Sequence, residues 1–179
     1  KPDFTKVKAT KKTVRFLFAG RIIWDKGVQQ FVEAARIIRK RYPDTRFDML
    51  GFVDPTNPNS VSYNQLNQWQ AEGFIRYLGE TEDVRPVLAE TDCLLFPSYY
   101  REGVSRILLE ASSMTVPIIT TDNVGCREVV TDGYNGFLCA MRSTSDVVRA
   151  IEQFLALPER QRQQLGLNGR KKVIQEFDE

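Results

Sequence analysis

Short apolar runs alternate along the chain with longer stretches in which apolar positions recur every three or four residues. "TVRFLFAG", residues 13–20, is β-prone and ends in glycine. In the "GVQQFVEAARIIRKRYP" that follows, Val28, Phe31, Ala35 and Ile38 share one helical face. The same alternation predicts strands over "RFDMLG" (46–51), "FIRYLG" (74–79), "DCLLFPS" (92–98), "VPIITT" (116–121) and "NGFLCA" (135–140). Helices are predicted over residues 61–72, 83–90 and 105–114, a short one over "CREVV" (126–130), and two more over 144–156 and 158–177. Ser62 with Gln65 reads as a capping box. Strands this apolar are buried on both faces, and right-handed strand-helix-strand crossovers build a parallel sheet with helices on each side. The expected fold is α/β, a doubly wound, Rossmann-like parallel sheet in one domain over residues 13–179. No repeat, low-complexity segment or internal linker interrupts it.

Composition adds mainly exclusions. The 179 residues are 42% hydrophobic and 27% charged, with a net charge of +2, and the basic residues are spread over both halves. Nothing marks a nucleic-acid surface. The early lysines Lys6, Lys8, Lys11 and Lys12 read as a solvated lead-in or interdomain linker over residues 1–12. Cys93, Cys126 and Cys139 are odd in number and lack metal-ligand spacing, as expected of reduced core thiols in a cytoplasmic protein. No apolar run approaches the roughly 20 residues of a membrane span, and no signal peptide is visible. The start at Lys1 and the end within a helical pattern fit a piece of a longer protein. Histidine is absent, which removes Ser/His and Cys/His catalysis from within this chain. Chemistry here rests on carboxylates, arginine, lysine and backbone groups.

In such sheets ligands bind outside the carboxyl ends of the strands, so the loops there matter most. In "GRIIWDKG", Gly20 ends the strand, Arg21 follows at once, and Lys26 stands just before the glycine that opens the helix. A guanidinium fork and an ammonium near a helix N-terminus outline an anion site; the other reading is a polar surface loop in which Asp25 is the local partner. In "SYYREGVSRILLEASSM", Gly103 lets the backbone approach a ligand, and the N–H groups of Val104, Ser105 and Arg106 begin a helix. Glu102 precedes that helix and Glu110 lies nearly two turns inside it. Carboxylates beside a phosphate-friendly helix end suit the hydroxyls of sugars attached to a diphosphate. Alternatively, Glu110 pairs with Arg106 at i, i+4 and Glu102 is a solvated loop acid. In "GCREVVTDGYNGF", Gly125 offers another backbone approach, but the Asp132-Gly133 and Asn135-Gly136 pairs read as ordinary turns.

Together, "GRIIWDKG" and "REGVSRILLEA" resemble the donor-binding C-terminal domain of retaining GT-B glycosyltransferases of group 1, a family marked by two glutamates with seven residues between them. Glu102 and Glu110 have that spacing. The resemblance covers nearly the whole chain, including "CLLFPS", "PIITT" and "DGYNGFL". It implies the C-terminal half of a GT-B fold and a nucleoside diphosphate sugar as substrate, a UDP-hexose or UDP-N-acetylhexosamine. Arg21 and Lys26 would neutralise the diphosphate, Glu102 would contact the transferring sugar, and Glu110 would bind the ribose. Leu78, in the strand matching "RYLG", would lie by the base. Within the family the chain is most similar to enzymes extending capsular or lipid-linked oligosaccharides. It departs from the common Gly-Phe-Gly after the first glutamate: Gly103 is followed by Val104, Ser105 and Arg106. There is no Asp-X-Asp motif, and neither cofactor nor metal is expected. The saccharide or lipid-linked acceptor would bind an N-terminal domain outside this chain, so the piece alone would bind donor without turnover; in the longer protein, peripheral contact with the inner membrane face is open. Two other readings remain: a GT-B nucleotide-sugar epimerase, and a non-catalytic Rossmann-like binding module.

Overall fold

The computed structural model describes residues 13–177; the lead-in expected over residues 1–12 lies outside them. Six parallel strands form one sheet: β1 (Val14–Ala19), β2 (Thr45–Leu50), β3 (Arg76–Tyr77), β4 (Cys93–Phe96), β5 (Ile118–Thr121) and β6 (Gly136–Cys139). Their order across the sheet is β3-β2-β1-β4-β5-β6. Seven helices connect and flank them: α1 (Val28–Arg41), α2 (Tyr63–Glu72), α3 (Arg85–Ala89), α4 (Arg106–Ser113), α5 (Val124–Arg127), α6 (Thr144–Ala156) and α7 (Glu159–Glu176). The expected doubly wound parallel sheet is therefore what the chain forms.

The order has a physical consequence. From β1 the chain crosses through α1 to β2 on one side, and from β4 through α4 to β5 on the other. Crossovers of one hand running in opposite directions place their helices on opposite faces. α6 packs against α1, and α7 against α4, completing both layers. Between β1 and β4 the direction reverses, leaving a crevice at their carboxyl ends.

Every residue of β4 and of β5 is buried, as a central strand covered on both faces requires. On the α1 and α6 side, Phe16 stacks on Phe47 at 4.9 Å, and Phe31 and Phe154 meet these rings edge-on at 5.8 Å. Full burial of each such side chain contributes about 1.5–3 kcal/mol. Cys93, Cys126 and Cys139 are buried and unpaired; burial raises all three thiol pKa values, that of Cys139 to about 12. They are core thiols.

Three expectations need correction. "FIRYLG" supplies only two strand residues, because β3 is an edge strand paired with β2 alone; the Arg76 guanidinium donates twice to buried Asp48 at 3.1 Å across that pairing. The short helix over "CREVV" begins two residues earlier, at Val124, because Asn123 accepts the Val124 N–H at 2.9 Å and starts it there. The capping box is half made: Ser62 Oγ accepts the Gln65 N–H at 3.1 Å, while the Gln65 side chain turns to Gln68.

Candidate functional site

The loops after β1 and β4 meet over the crevice. After Gly20 the chain runs through Arg21 into a 3-10 turn, Trp24–Lys26, which Gly27 ends at φ 82° while capping α1. Only glycine fits there: a Cβ would lie 2.0 Å from the Pro97 carbonyl oxygen of the opposite loop. The β2–α2 loop braces this segment, since Ile22 N–H donates to Phe52 O, Trp24 N–H to Asn59 O and Val61 N–H to Ile22 O, all at 2.9–3.0 Å.

The loop after β4 is fastened from several sides. Tyr99 N–H donates to Asp25 O at 2.9 Å, joining it to the β1 loop. Thr120 Oγ1 donates to Phe96 O at 2.6 Å, Thr121 Oγ1 to Ser98 O, and Asn123 Nδ2 to Tyr100 O at 3.0 Å. Gly125 lies so close that a Cβ would sit 2.2 Å from Gly103 O. Its role here is close packing of the β5–α5 loop beneath the β4–α4 loop, whatever else approaches it.

These constraints bring the predicted residues together. Lys26 is only 5% exposed, and its ammonium forms an ion pair with Glu102, 76 positions away. Its Nζ also lies 4.7 Å from the Tyr100 ring centroid and 5.6 Å from that of Phe96. Glu102 is thus an exposed loop acid that nevertheless reaches the first loop, and the ion-pair partner of Lys26 is Glu102, not Asp25. Arg21 is exposed, with its guanidinium carbon 5.4 Å from the same Tyr100 ring.

α4 begins beside them. Its first N–H groups have no intrahelical acceptors, and the Ser105 side chain makes no capping bond, so the positive end of the helix faces the crevice unneutralised. No neighbour would meet a Cβ at Gly103 within 4 Å, which leaves open space above the backbone. Val104 is half-buried against the core. Arg106 reaches back to Glu110 at 3.1 Å, with their side chains 90% and 35% exposed. The i, i+4 pair weighed from the sequence is therefore present, and as a solvent-exposed pair it holds Glu110 only weakly. Leu78 stands at the carboxyl end of β3, half-buried, its N–H donating to Met49 O at 2.8 Å; Gly20 N–H donates to Leu50 O at 3.0 Å.

Beside Glu102 opens a cleft of 560 Å³, lined also by Tyr99, Arg101, Asp122, Asn123, Arg127 and Met141. Sequence reasoning missed Tyr100 and Asn123, because neither hydrophobic period nor motif spacing singles out a loop aromatic or a cap. Among the described residues no cluster of His, Cys, Asp and Glu could hold a metal ion, and no helix is long and apolar enough to cross a membrane.

Residues 1–172 match the family described as "Glycosyl transferases group 1". The chain is 30% identical over 169 residues to N,N'-diacetylbacillosaminyl-diphospho-undecaprenol alpha-1,3-N-acetylgalactosaminyltransferase of Campylobacter jejuni, covering 94% of this chain and 42% of that protein. It is 27% identical to the capsular polysaccharide biosynthesis glycosyltransferase CapM of Staphylococcus aureus, covering 89% and 41%. The chain thus spans about two fifths of the length of these relatives. Among solved structures, it superposes on Anabaena HepE in complex with UDP and glucose with a TM-score of 0.81 at 20% identity, covering 93% of this chain and 45% of that one. A C-terminal domain of a group 1 glycosyl transferase from Francisella tularensis superposes with a TM-score of 0.77 at 22% identity, covering 92% and 86%. On the strength of the family match, carried by a six-stranded parallel sheet like those of C-terminal GT-B domains, the chain belongs to the group 1 glycosyl transferases.

Proposed function

We propose that this chain is the donor-binding half of a retaining glycosyltransferase, taking a UDP-hexose or UDP-N-acetylhexosamine. The observation that carries the reading is the meeting of Lys26 and Glu102 at the β1/β4 switch point, with Arg21 and the free end of α4 beside them. In transfer, the bond from the anomeric carbon to the β-phosphate oxygen breaks and the nucleoside diphosphate leaves with the electron pair. An acceptor hydroxyl bonds the anomeric carbon on the face the diphosphate leaves, and its proton passes to a phosphate oxygen of the departing diphosphate. Arg21, Lys26, the N–H groups of Val104 and Ser105 just before α4, and that of Arg106 at its start stabilise the charge gathering on the departing diphosphate. Glu102 faces the transferring sugar, for which the adjoining 560 Å³ cleft has room. Glu110 takes the ribose hydroxyls, exchanging its exposed pair with Arg106 for them, and the base lies near Leu78. This assigns charge neutralisation to protein groups and calls for no metal. The names of the Campylobacter and Staphylococcus relatives favour a lipid-linked or capsular saccharide acceptor, bound by a domain beyond this chain, without which the chain does not turn over.

Calorimetric titration with UDP, GDP, ADP and uridine tests the reading. A nucleoside diphosphate binds, with UDP favoured, and Arg21→Ala weakens it by about 1.5–3 kcal/mol, the worth of a charge-assisted contact, while uridine is little changed. Equal losses for UDP and uridine would remove the diphosphate role of Arg21. Failure of every nucleoside diphosphate to bind would defeat the proposal.

A further inference from the structure

We infer that Tyr100 is a positioning residue for the cation pair, its ring face holding Lys26 and Arg21 aimed into the crevice; this rests on the donor-binding reading above. Arg21 precedes the 3-10 turn and Lys26 is the last residue of it, and both converge on one ring, Lys26 Nζ at 4.7 Å and the Arg21 guanidinium carbon at 5.4 Å from its centroid. Placed so near each other, two positive groups repel, and their long side chains have many alternative rotamers. Glu102 pairs with Lys26; among the described residues Arg21 forms no ion pair at contact distance, and the acid its charge reaches is Asp54, whose carboxyl is held below its ordinary value first by the Thr56 hydroxyl and in smaller part by Arg21. The negative face of an aromatic ring attracts both cations at once, and it leaves their hydrogen-bond donors free because it accepts none of them in a directed bond.

The ring is not a freely rotating surface side chain. Tyr100 is half-buried, its N–H donates to the buried Ser98 Oγ at 3.2 Å, and its carbonyl accepts from the buried Asn123 Nδ2 at 3.0 Å. The β5–α5 loop therefore sets where the ring stands, and the ring sets where the cations stand. Ordering two long side chains before the ligand arrives removes that cost from binding. A leucine of similar bulk would fill the space and attract neither cation.

The test uses the 179-residue chain with inorganic pyrophosphate, UDP and uridine as calorimetric probes. Tyr100→Phe, which keeps the ring and loses the hydroxyl, binds all three within about twofold of the wild type. Tyr100→Leu loses roughly fivefold to thirtyfold toward pyrophosphate and UDP, the range of a cation–π contact from exposed to desolvated, and leaves uridine within about twofold. Phenylalanines bearing one, two and three fluorines at position 100 keep the shape of the ring and drain its negative face, so pyrophosphate affinity falls stepwise. That series decides the matter even if Tyr100→Leu misfolds. Unchanged pyrophosphate binding across it, or a parallel loss of uridine, would overturn the inference and leave the donor reading standing. A wild-type chain that binds neither pyrophosphate nor any of UDP, GDP and ADP would overturn the donor reading, and this one with it.

Discussion

The Lys26 side chain sits where water barely reaches it, and a buried ammonium is tolerated only with a partner. Glu102 is that partner, with its own side chain one-third exposed (33%) toward the crevice and the neighbouring cleft. Without ligand, the acid proposed for the sugar is engaged with the cation proposed for the diphosphate, so a bound diphosphate competes with Glu102 for Lys26. Glu102→Gln leaves Lys26 without an anion and lowers stability by about 1–3 kcal/mol, less than the 3–5 kcal/mol of a fully buried pair because Glu102 is partly open. Saturating UDP then supplies the missing anion, and it raises the melting temperature of Glu102→Gln by more than that of the wild type. Thermal scans of both proteins with and without UDP give the comparison. Equal increments would mean that the diphosphate does not reach Lys26.

At the scale of elements, the cap of α5 is tied to a site loop. Asn123 starts α5 and at the same time holds the Tyr100 carbonyl, so one side chain fixes a helix end and a site loop together. The start of α6 shows the same economy. Ser143 Oγ accepts the Asp146 N–H at 3.2 Å, and Asp146 in the first turn accepts from Arg149 and from the Ala140 N–H, each at 2.6 Å. The Arg149 hydrogen bond, followed by that from Ala140, holds the Asp146 carboxyl below its ordinary 3.8. The unfolded chain therefore takes up this proton more readily than the folded one. The contribution of Asp146 is whole above about pH 4 and is lost as pH falls through the lower folded value. Asp146→Asn costs about 1 kcal/mol at pH 7, and the gap between the two proteins narrows in urea titrations repeated at pH 4 and pH 3. A gap that widens toward acid would contradict this account.

Across the whole molecule, the rings of Phe16, Phe31, Phe47 and Phe154 tie β1, β2, α1 and α6 into one packed face. The Thr144 hydroxyl, which donates to Glu33, links the same two helices at the surface. Phe154 is 1% exposed, and its removal leaves a cavity in that face. Phe154→Ala costs about 3–5 kcal/mol, while UDP affinity measured well below the melting temperature stays near that of the wild type, since the lesion sits away from the carboxyl edge. A matching loss of affinity in the folded variant would show that the core face and the crevice are coupled.

The sequence by itself determined what depends on neighbours a few positions away. Short apolar runs placed the central strands, and helical periodicity placed α6 over residues 144–156, the bounds it has in the structure. Motif spacing marked Arg21, Lys26, Glu102 and Glu110 as candidates. Tertiary structure alone decided how far an edge strand extends, as in β3, and which distant loops meet. Lys26 reaches Glu102 because the strand order sets β1 beside β4, and that order follows from crossovers and pairing spread over the whole sheet. Tyr100 took its place beneath two cations for the same reason: its neighbours come from residues 21, 26 and 123, and no periodicity within one segment records a contact made across three loops.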